Sequence, residues 1–238
     1  MIPARYAATR FPAKLMQLLG EKTVIRHTYE NTVGTKLFDE VMVVTDSDTI
    51  YKEIVSNGGK AVMSIHAHES GSDRIAEVLP GLDADIVVNV QGDEPFVQKE
   101  PLQKLLDVFN DVTVRVASLM QVIQDTQLVQ DPNYVKVAVD KYNNALFFSR
   151  SPIPFHRDKN ITPVYFEHIG VYAYRKKALL DFTQWEISPL EAAEKIECLR
   201  YLENGVSIRM VETAYMGIEI DTPEDLERAA KVIQFNSK

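Results

Sequence analysis

The chain has 238 residues, 45% of them hydrophobic, with a formal net charge of -8 and a pI near 5.2. That length buries a full core as one large domain or one and a half. The acidic balance excludes general affinity for nucleic acid or an anionic membrane, and leaves anionic ligands to local clusters of cations.

The first segment, Ile2-Pro3-Ala4-Arg5, reads as the end of a strand running into a loop. A first strand of an open sheet is expected to precede Pro3. Only Met1 and Ile2 stand there, so it reads as shortened, by trimming or by a late start. Arg5, Arg10 and Lys14 follow at spacings of five and four. Pro12 disfavours helix at Phe11, so these cations belong to a loop. Arginine forks suit phosphate and lysine acts as a point charge. A phosphate site and a solvated basic loop both satisfy that spacing. The G-x-x-x-x-G-K phosphate loop is absent.

Helical periodicity then covers Thr23 to Val33, Ser47 to Ser56 and Ser72 to Leu79, and Pro101 to Phe109 is a further helix. Between them, Phe38 to Thr45, Lys60 to Ser64 and Asp85 to Val90 read as strands, with Thr113 to Val122 after the last helix. The alternation predicts an α/β fold with a three-layer, mostly parallel sheet and right-handed crossovers. Arg74, in Ser70-Gly71-Ser72-Asp73-Arg74, sits near a helix start. Its backbone neighbours suit a base or a phosphate, although surface arginines are common. Asn89-Val90-Gln91-Gly92-Asp93 ends the most apolar strand. Asp93 there either caps the next turn or holds a hard divalent cation.

The pattern changes near Asp131-Pro132. Val135 to Asp140, Asn143-Asn144 and Ala145 to Ser149 read as an antiparallel hairpin, and Ile169 to Tyr174 as a later strand. The expectation is one domain over 1–238, with an inserted β-rich lobe at about 132–182 that pairs subunits. Arg150 and His168 fall in that lobe, and a lone histidine is more often structural than functional. Ser188-Pro189-Leu190-Glu191 predicts a capped helix start, and Thr222-Pro223-Glu224-Asp225 repeats the device. Asp221 precedes that last helix, so it reads either as a helix-start carboxylate or as a second metal ligand beside Asp93.

The single cysteine, Cys198, excludes an internal disulfide and reads as core or pocket wall. One thiol suits a reducing compartment. No apolar run approaches the ~20 residues of a membrane span, and no signal peptide precedes the first motif. The expected location is the cytoplasm, without membrane or nucleic-acid partners.

Taken in order, Ile2-Pro3-Ala4-Arg5-Tyr6 with Thr9-Arg10-Phe11-Pro12, Ser70 to Arg74, Asn89 to Pro95, Phe148-Ser149-Arg150, His168 to Tyr174 and Ile220 to Leu226 resemble the 3-deoxy-manno-octulosonate cytidylyltransferase family. The resemblance covers nearly the whole chain. It implies a nucleotide-diphospho-sugar-transferase-like (Rossmann-like) fold and a homodimer. It also implies transfer of CMP from CTP to the sugar acid with Mg²⁺, for lipopolysaccharide biosynthesis. Carried over residue by residue, Arg10 and Lys14 hold the CTP phosphates, and Arg5, Arg74 and Gln91 line the nucleotide pocket. Asp93 and Asp221 bind Mg²⁺. Arg150 and His168 meet the sugar acid, with Glu197 at the pocket edge. Arg10, Lys14 and Asp93 form the catalytic group.

Three positions depart from the family pattern. Ala13 and Leu15 replace its glycine and proline, and Cys198 replaces a glutamine. Losing the glycine matters if the backbone needs positive φ there. Losing the amide opens the choice between 3-deoxy-manno-octulosonate and its 8-amino relative. Neuraminate transfer and a non-catalytic nucleotide-binding module are the remaining alternatives.

Overall fold

The computed structural model describes residues 1–7, 11–66, 68, 70–214 and 217–236, with the side chains of 234 and 236 left aside. The chain divides into two compact units, one of residues 1–84, 88–102 and 216–238, the other of residues 85–87 and 103–215.

In the first unit β1 (Ile2–Ala4) pairs parallel with β4 (Val43–Thr45), and β4 pairs parallel with β5 (Ala61–Met63). A small antiparallel pair, β2 (Leu18–Leu19) with β3 (Lys22–Thr23), leads into α1 (Val24–Gly34). Thr23 caps α1, accepting from Arg26 N. Ser47 caps α2 (Asp48–Ser56) and Ser70 caps α3 (Gly71–Val78) in the same way, each side chain satisfying one orphan N–H of the first turn. The apolar run from Phe38 forms a ladder only at Val43–Thr45, because its partners are three residues long; Val41 and Met42 are buried outside it. The α-amino group of Met1 donates to Val88 O, and burial lowers its pKa to about 5.

β6 (Ile86–Asn89) straddles the division between the units, as does α4 (Lys99–Asp107). In the second unit β7 (Val116–Val122) lies next to the edge of a mixed ladder. The predicted hairpin is present as β8 (Lys136–Val139) and β9 (Ala145–Ser149), turning at Asn143 with φ +60. The long strand β10 (Phe166–Arg175) runs antiparallel to both β7 and β8 and also pairs β6. Its register against β7 slips between Ile169 and Tyr172, a bulge that re-aims the side chains around it. α5 (Lys176–Phe182), α6 (Pro189–Glu194) and α7 (Leu199–Glu203) follow. The expected capping box at Ser188 and Glu191 is formed. Arg200 then grips Glu191 through two bonds of 2.6 and 2.7 Å while its guanidinium lies 4.0 Å above the Phe182 ring. β11 (Ile208–Glu212), which the sequence reading did not anticipate, runs parallel to β7. The chain returns to the first unit for α8 (Pro223–Asn236).

Candidate active site

Within the first unit a polar pocket opens at the carboxyl ends of β1 and β6. Arg5, Lys14, His68, Arg74, Gln91 and Asp93 line it. Two close approaches shape its floor. A Cβ on Gly92 would lie 3.1 Å from Pro3 O, and one on Gly71 would lie 2.9 Å from Pro3 Cγ. Small residues at both points let these backbone segments come together.

Lys14 enters from a short turn whose preceding residue, Ala13, sits in the left-handed region at φ +51, ψ +32. The glycine departure therefore falls where the backbone does need positive φ, at a cost of about 1–2 kcal/mol for a residue with a Cβ. The Lys14 ammonium lies 2.5 Å from Asp93 Oδ2 and 2.7 Å from Asp221 Oδ1. Burial alone would lower its pKa, but Asp93 and Asp221 outweigh that and hold it above the ordinary lysine value.

The partners of the two aspartates bear on the capping half of both open choices. The start of α8 is capped by Thr222, whose hydroxyl accepts from Asp225 N, while Asp225 Oδ2 accepts from the backbone of Asp221 and Thr222. The Asp221 carboxylate is therefore not the cap; it is turned to Lys14. Asp93 is not a turn cap either. One of its oxygens meets Lys14, and the other is buried without a hydrogen-bond partner among the described residues. Ile220 N donates to Asp93 O at 3.0 Å, tying the two acidic segments together. Behind them Gly217, at φ +110, passes so close to Phe96 that an added Cβ would lie 2.6 Å from Phe96 Cβ.

These observations test whether the residues suit a divalent cation. One oxygen each from Asp93, Glu219 and Asp221 fall within 4.8 Å of one another. A cation at ~2.1 Å from its ligands sets opposite oxygens about 4.2 Å apart, so the set fits after a small contraction. The buried Asp93 Oδ1 is a carboxylate oxygen of the kind such an ion would take up. Glu219 was not singled out in the sequence. The signal was its spacing of two from Asp221 in an extended stretch, which puts both on one face.

The other pocket residues have specific anchors. Arg74 is 4% exposed, and its guanidinium donates to Ser64 Oγ and to Asp46 Oδ2 at 2.8 Å. It thereby braces the chain beyond β4 and β5 while lining the pocket. His68, also missed, pairs through Nε2 with Glu77, which accepts as well from Ile65 N at 2.7 Å. Burial would raise the Glu77 pKa, but the bonds from His68 and the loop backbone bring it below the usual glutamate value. Arg5 is exposed at the rim. Arg10 lies outside the described residues.

The second unit holds Arg150, His168 and Glu197. His168 lies at the β10 bulge, with Nε2 3.0 Å from Ser118 Oγ and its ring edge-on to Phe148 at 5.0 Å. Burial lowers its pKa to about 4, so the ring is neutral at pH 7. Tyr172 packs against the His168 ring, their centroids 5.3 Å apart. Burial, with Glu197 nearby, pushes the Tyr172 hydroxyl and the Cys198 thiol up, so both stay protonated. Arg150 closes a loop: its guanidinium donates to Glu194 O at 2.7 Å, Pro132 O at 2.8 Å and Lys195 O at 3.3 Å. Three of its five N–H groups are thereby engaged with backbone.

The cytidylyltransferase family profile matches residues 1–208. The chain is 61% identical over 237 residues to the 3-deoxy-manno-octulosonate cytidylyltransferase of Flavobacterium johnsoniae, covering 98% of this chain and 97% of that one. The chain belongs to the 3-deoxy-manno-octulosonate cytidylyltransferase family. The protein of the same description from Christiangramia forsetii is 55% identical over 236 residues, covering 98% of this chain and 95% of that one. A solved structure of CMP:2-keto-3-deoxy-manno-octonic acid synthetase complexed with CTP matches with a TM-score of 0.94 at 38% identity, over 99% of this chain and 97% of that one. A 4-diphosphocytidyl-2C-methyl-D-erythritol synthase from Anaerococcus prevotii matches over 98% of this chain and 97% of that one, with a TM-score of 0.66 at 17% identity, and extends the fold likeness alone. This cytidylyltransferase is thus a nucleotidyltransferase with the expected α/β fold. No helix among the described residues is long and apolar enough to cross a membrane.

Proposed function

We propose that the chain transfers CMP from CTP to the anomeric hydroxyl of 3-deoxy-manno-octulosonate, giving CMP-sugar and pyrophosphate for lipopolysaccharide assembly. The observation that carries this reading is the meeting of Lys14, Asp93 and Asp221 at the strand ends of the first unit. The anomeric oxygen forms a bond to the α-phosphorus as the bond from that phosphorus to the pyrophosphate oxygen breaks. The hydroxyl proton leaves to solvent. Because attack is on phosphorus, the anomeric carbon keeps its configuration.

Lys14 and Arg10 offset charge on the phosphates, and Arg5, Arg74 and Gln91 hold the nucleotide. Catalysis is then chiefly positioning and charge stabilisation in a prearranged site. Asp93 and Asp221, with Glu219, would hold Mg²⁺, which supplies charge neutralisation for the triphosphate when bound. His168 and Arg150 meet the sugar acid, with Glu197 at the edge. The neutral His168 ring would contribute a hydrogen bond rather than a charge.

The same reading makes the protein a cytoplasmic homodimer joined through its β-rich lobe. Its support there is apolar exposure: Leu146 and Ile161 are 62% exposed and Phe155 83%. The deciding experiment is pyrophosphate release with Mg²⁺ from CTP, with and without the sugar acid, and from UTP in place of CTP. Release that requires CTP and sugar together upholds the activity. CTP binding without release identifies a binding module instead. One observation favours a second sugar: a buried thiol, Cys198, stands where the family resemblance expects an amide. Relative rates on 3-deoxy-manno-octulosonate, its 8-amino relative and neuraminate separate these choices.

A further inference from the structure

We infer that Lys14 is an internal counter-ion that holds the carboxylate site closed to a free divalent cation until the nucleotide draws it away. The inference rests on the assignment of Asp93 and Asp221 to the metal.

Three features lead to it. The Lys14 ammonium lies between the two aspartates, 2.5 Å from one and 2.7 Å from the other, so it occupies the same two carboxylates that a metal ion would need. Asp93, Glu219 and Asp221 crowd three carboxylates within 4.8 Å, an arrangement that like-charge repulsion disfavours unless a cation sits among them. The lysine is delivered there by Ala13 in the left-handed region, so local backbone strain is accepted to place this one side chain. A single positive charge satisfies the cluster incompletely: Asp93 Oδ1 stays buried without a hydrogen-bond partner among the described residues. The resting state is thus sound but improvable.

A triphosphate changes the balance. Its oxygens offer Lys14 a new anionic partner and offer the cation additional ligands, so nucleotide and metal favour each other's binding. Magnesium keeps several waters and prefers a few carboxylates plus phosphate oxygens, which suits arrival as a nucleotide complex. The coupling is reciprocal by linkage: whatever the nucleotide adds to metal affinity, the metal adds to nucleotide affinity. Glu219 strengthens the cluster's hold on a cation in both states.

The test is Mn²⁺ binding to the full chain, followed by electron paramagnetic resonance. It is run without nucleotide and with the α,β-methylene analogue of CTP, which does not turn over. Wild type is expected to bind Mn²⁺ weakly alone and at least tenfold more tightly with the analogue. Lys14→Met should bind Mn²⁺ at least tenfold more tightly than wild type without nucleotide, and the nucleotide should then add less than it does in wild type. Adding Glu219→Gln to Lys14→Met should weaken that binding at least threefold. Circular dichroism confirms that each variant is folded. Should Lys14→Met unfold, Lys14→Gln replaces it, and the rise in melting temperature on Mn²⁺ saturation must exceed that of wild type. Unchanged nucleotide-free affinity in the lysine variants overturns the counter-ion role. Loss of nucleotide-dependent Mn²⁺ binding in Asp93→Asn would still uphold the metal assignment in that case. Retention of that binding in Asp93→Asn overturns both.

Discussion

The two units hold their functional groups in opposite ways. In the first, the Lys14 ammonium is held charged by the carboxylates of Asp93 and Asp221 at a partly exposed strand end. In the second, His168, Tyr172 and Cys198 are kept neutral by burial. Charged groups suit the stabilisation of a triphosphate, where interaction strength matters more than fine geometry. Neutral donors and acceptors packed against aromatic rings suit discrimination among sugars, because an unmatched polar group there costs its full desolvation. Under the proposed function, one chain thereby separates electrostatic work from recognition.

The sharpest way to break the charged half is Asp93→Ala. It should lower pyrophosphate release about a thousandfold or more while leaving the fold intact, since it removes a transition-state charge contact and leaves Lys14 with one carboxylate. A melting curve like that of wild type, alongside the lost release, checks it; near-normal release would sink the metal assignment. Gly217→Ala tests the scaffold behind that half. The clash with Phe96 and the strained φ should destabilise the protein by about 3 kcal/mol, measured by urea unfolding.

The neutral half is sharpened by pH. The folded pKa of His168 lies near 4, below its ordinary value of 6.5, so between these values the unfolded chain binds more protons. Stability should therefore rise through that window by on the order of 3 kcal/mol from this group, and be lost as pH falls. Urea midpoints from pH 4.5 to 7 should show a shallower slope for His168→Phe than for wild type. An equal slope would mean that the ring is not held neutral. The smallest expected effect is Ala13→Gly, which relieves the left-handed alanine and should stabilise by about 0.5–1 kcal/mol. Thermal unfolding checks it, and a loss of stability would contradict the strain assigned to the turn.

What could be read from the sequence was what residues decide locally. The Ser188 and Thr222 caps, the Asn143 turn and the doubt over Ala13 all follow from side chains acting on their own backbone, and each appears in the structure. Strand limits did not follow, because a ladder is as long as its partner: Phe38 to Thr45 shrank to Val43–Thr45 beside two other short strands. β11 was missed for a related reason, since its pairing with β7 is long-range. At the site, Asp93, Asp221 and Lys14 were legible as charges at element ends. Glu219 was passed over although its spacing of two from Asp221 was there to read, and His68 joins the pocket only through segments far apart in the chain. The packing of Arg150 against three carbonyls was likewise invisible from its place after a strand.

Cys198 is the only cysteine in the sequence and is 1% exposed, with burial pushing its thiol up. Maleimide dyes and spin labels react with accessible thiolates. A cysteine introduced on the surface would therefore take a probe alone, without first removing the native one. Distances within the working protein can then be followed on a background that needs no further substitution.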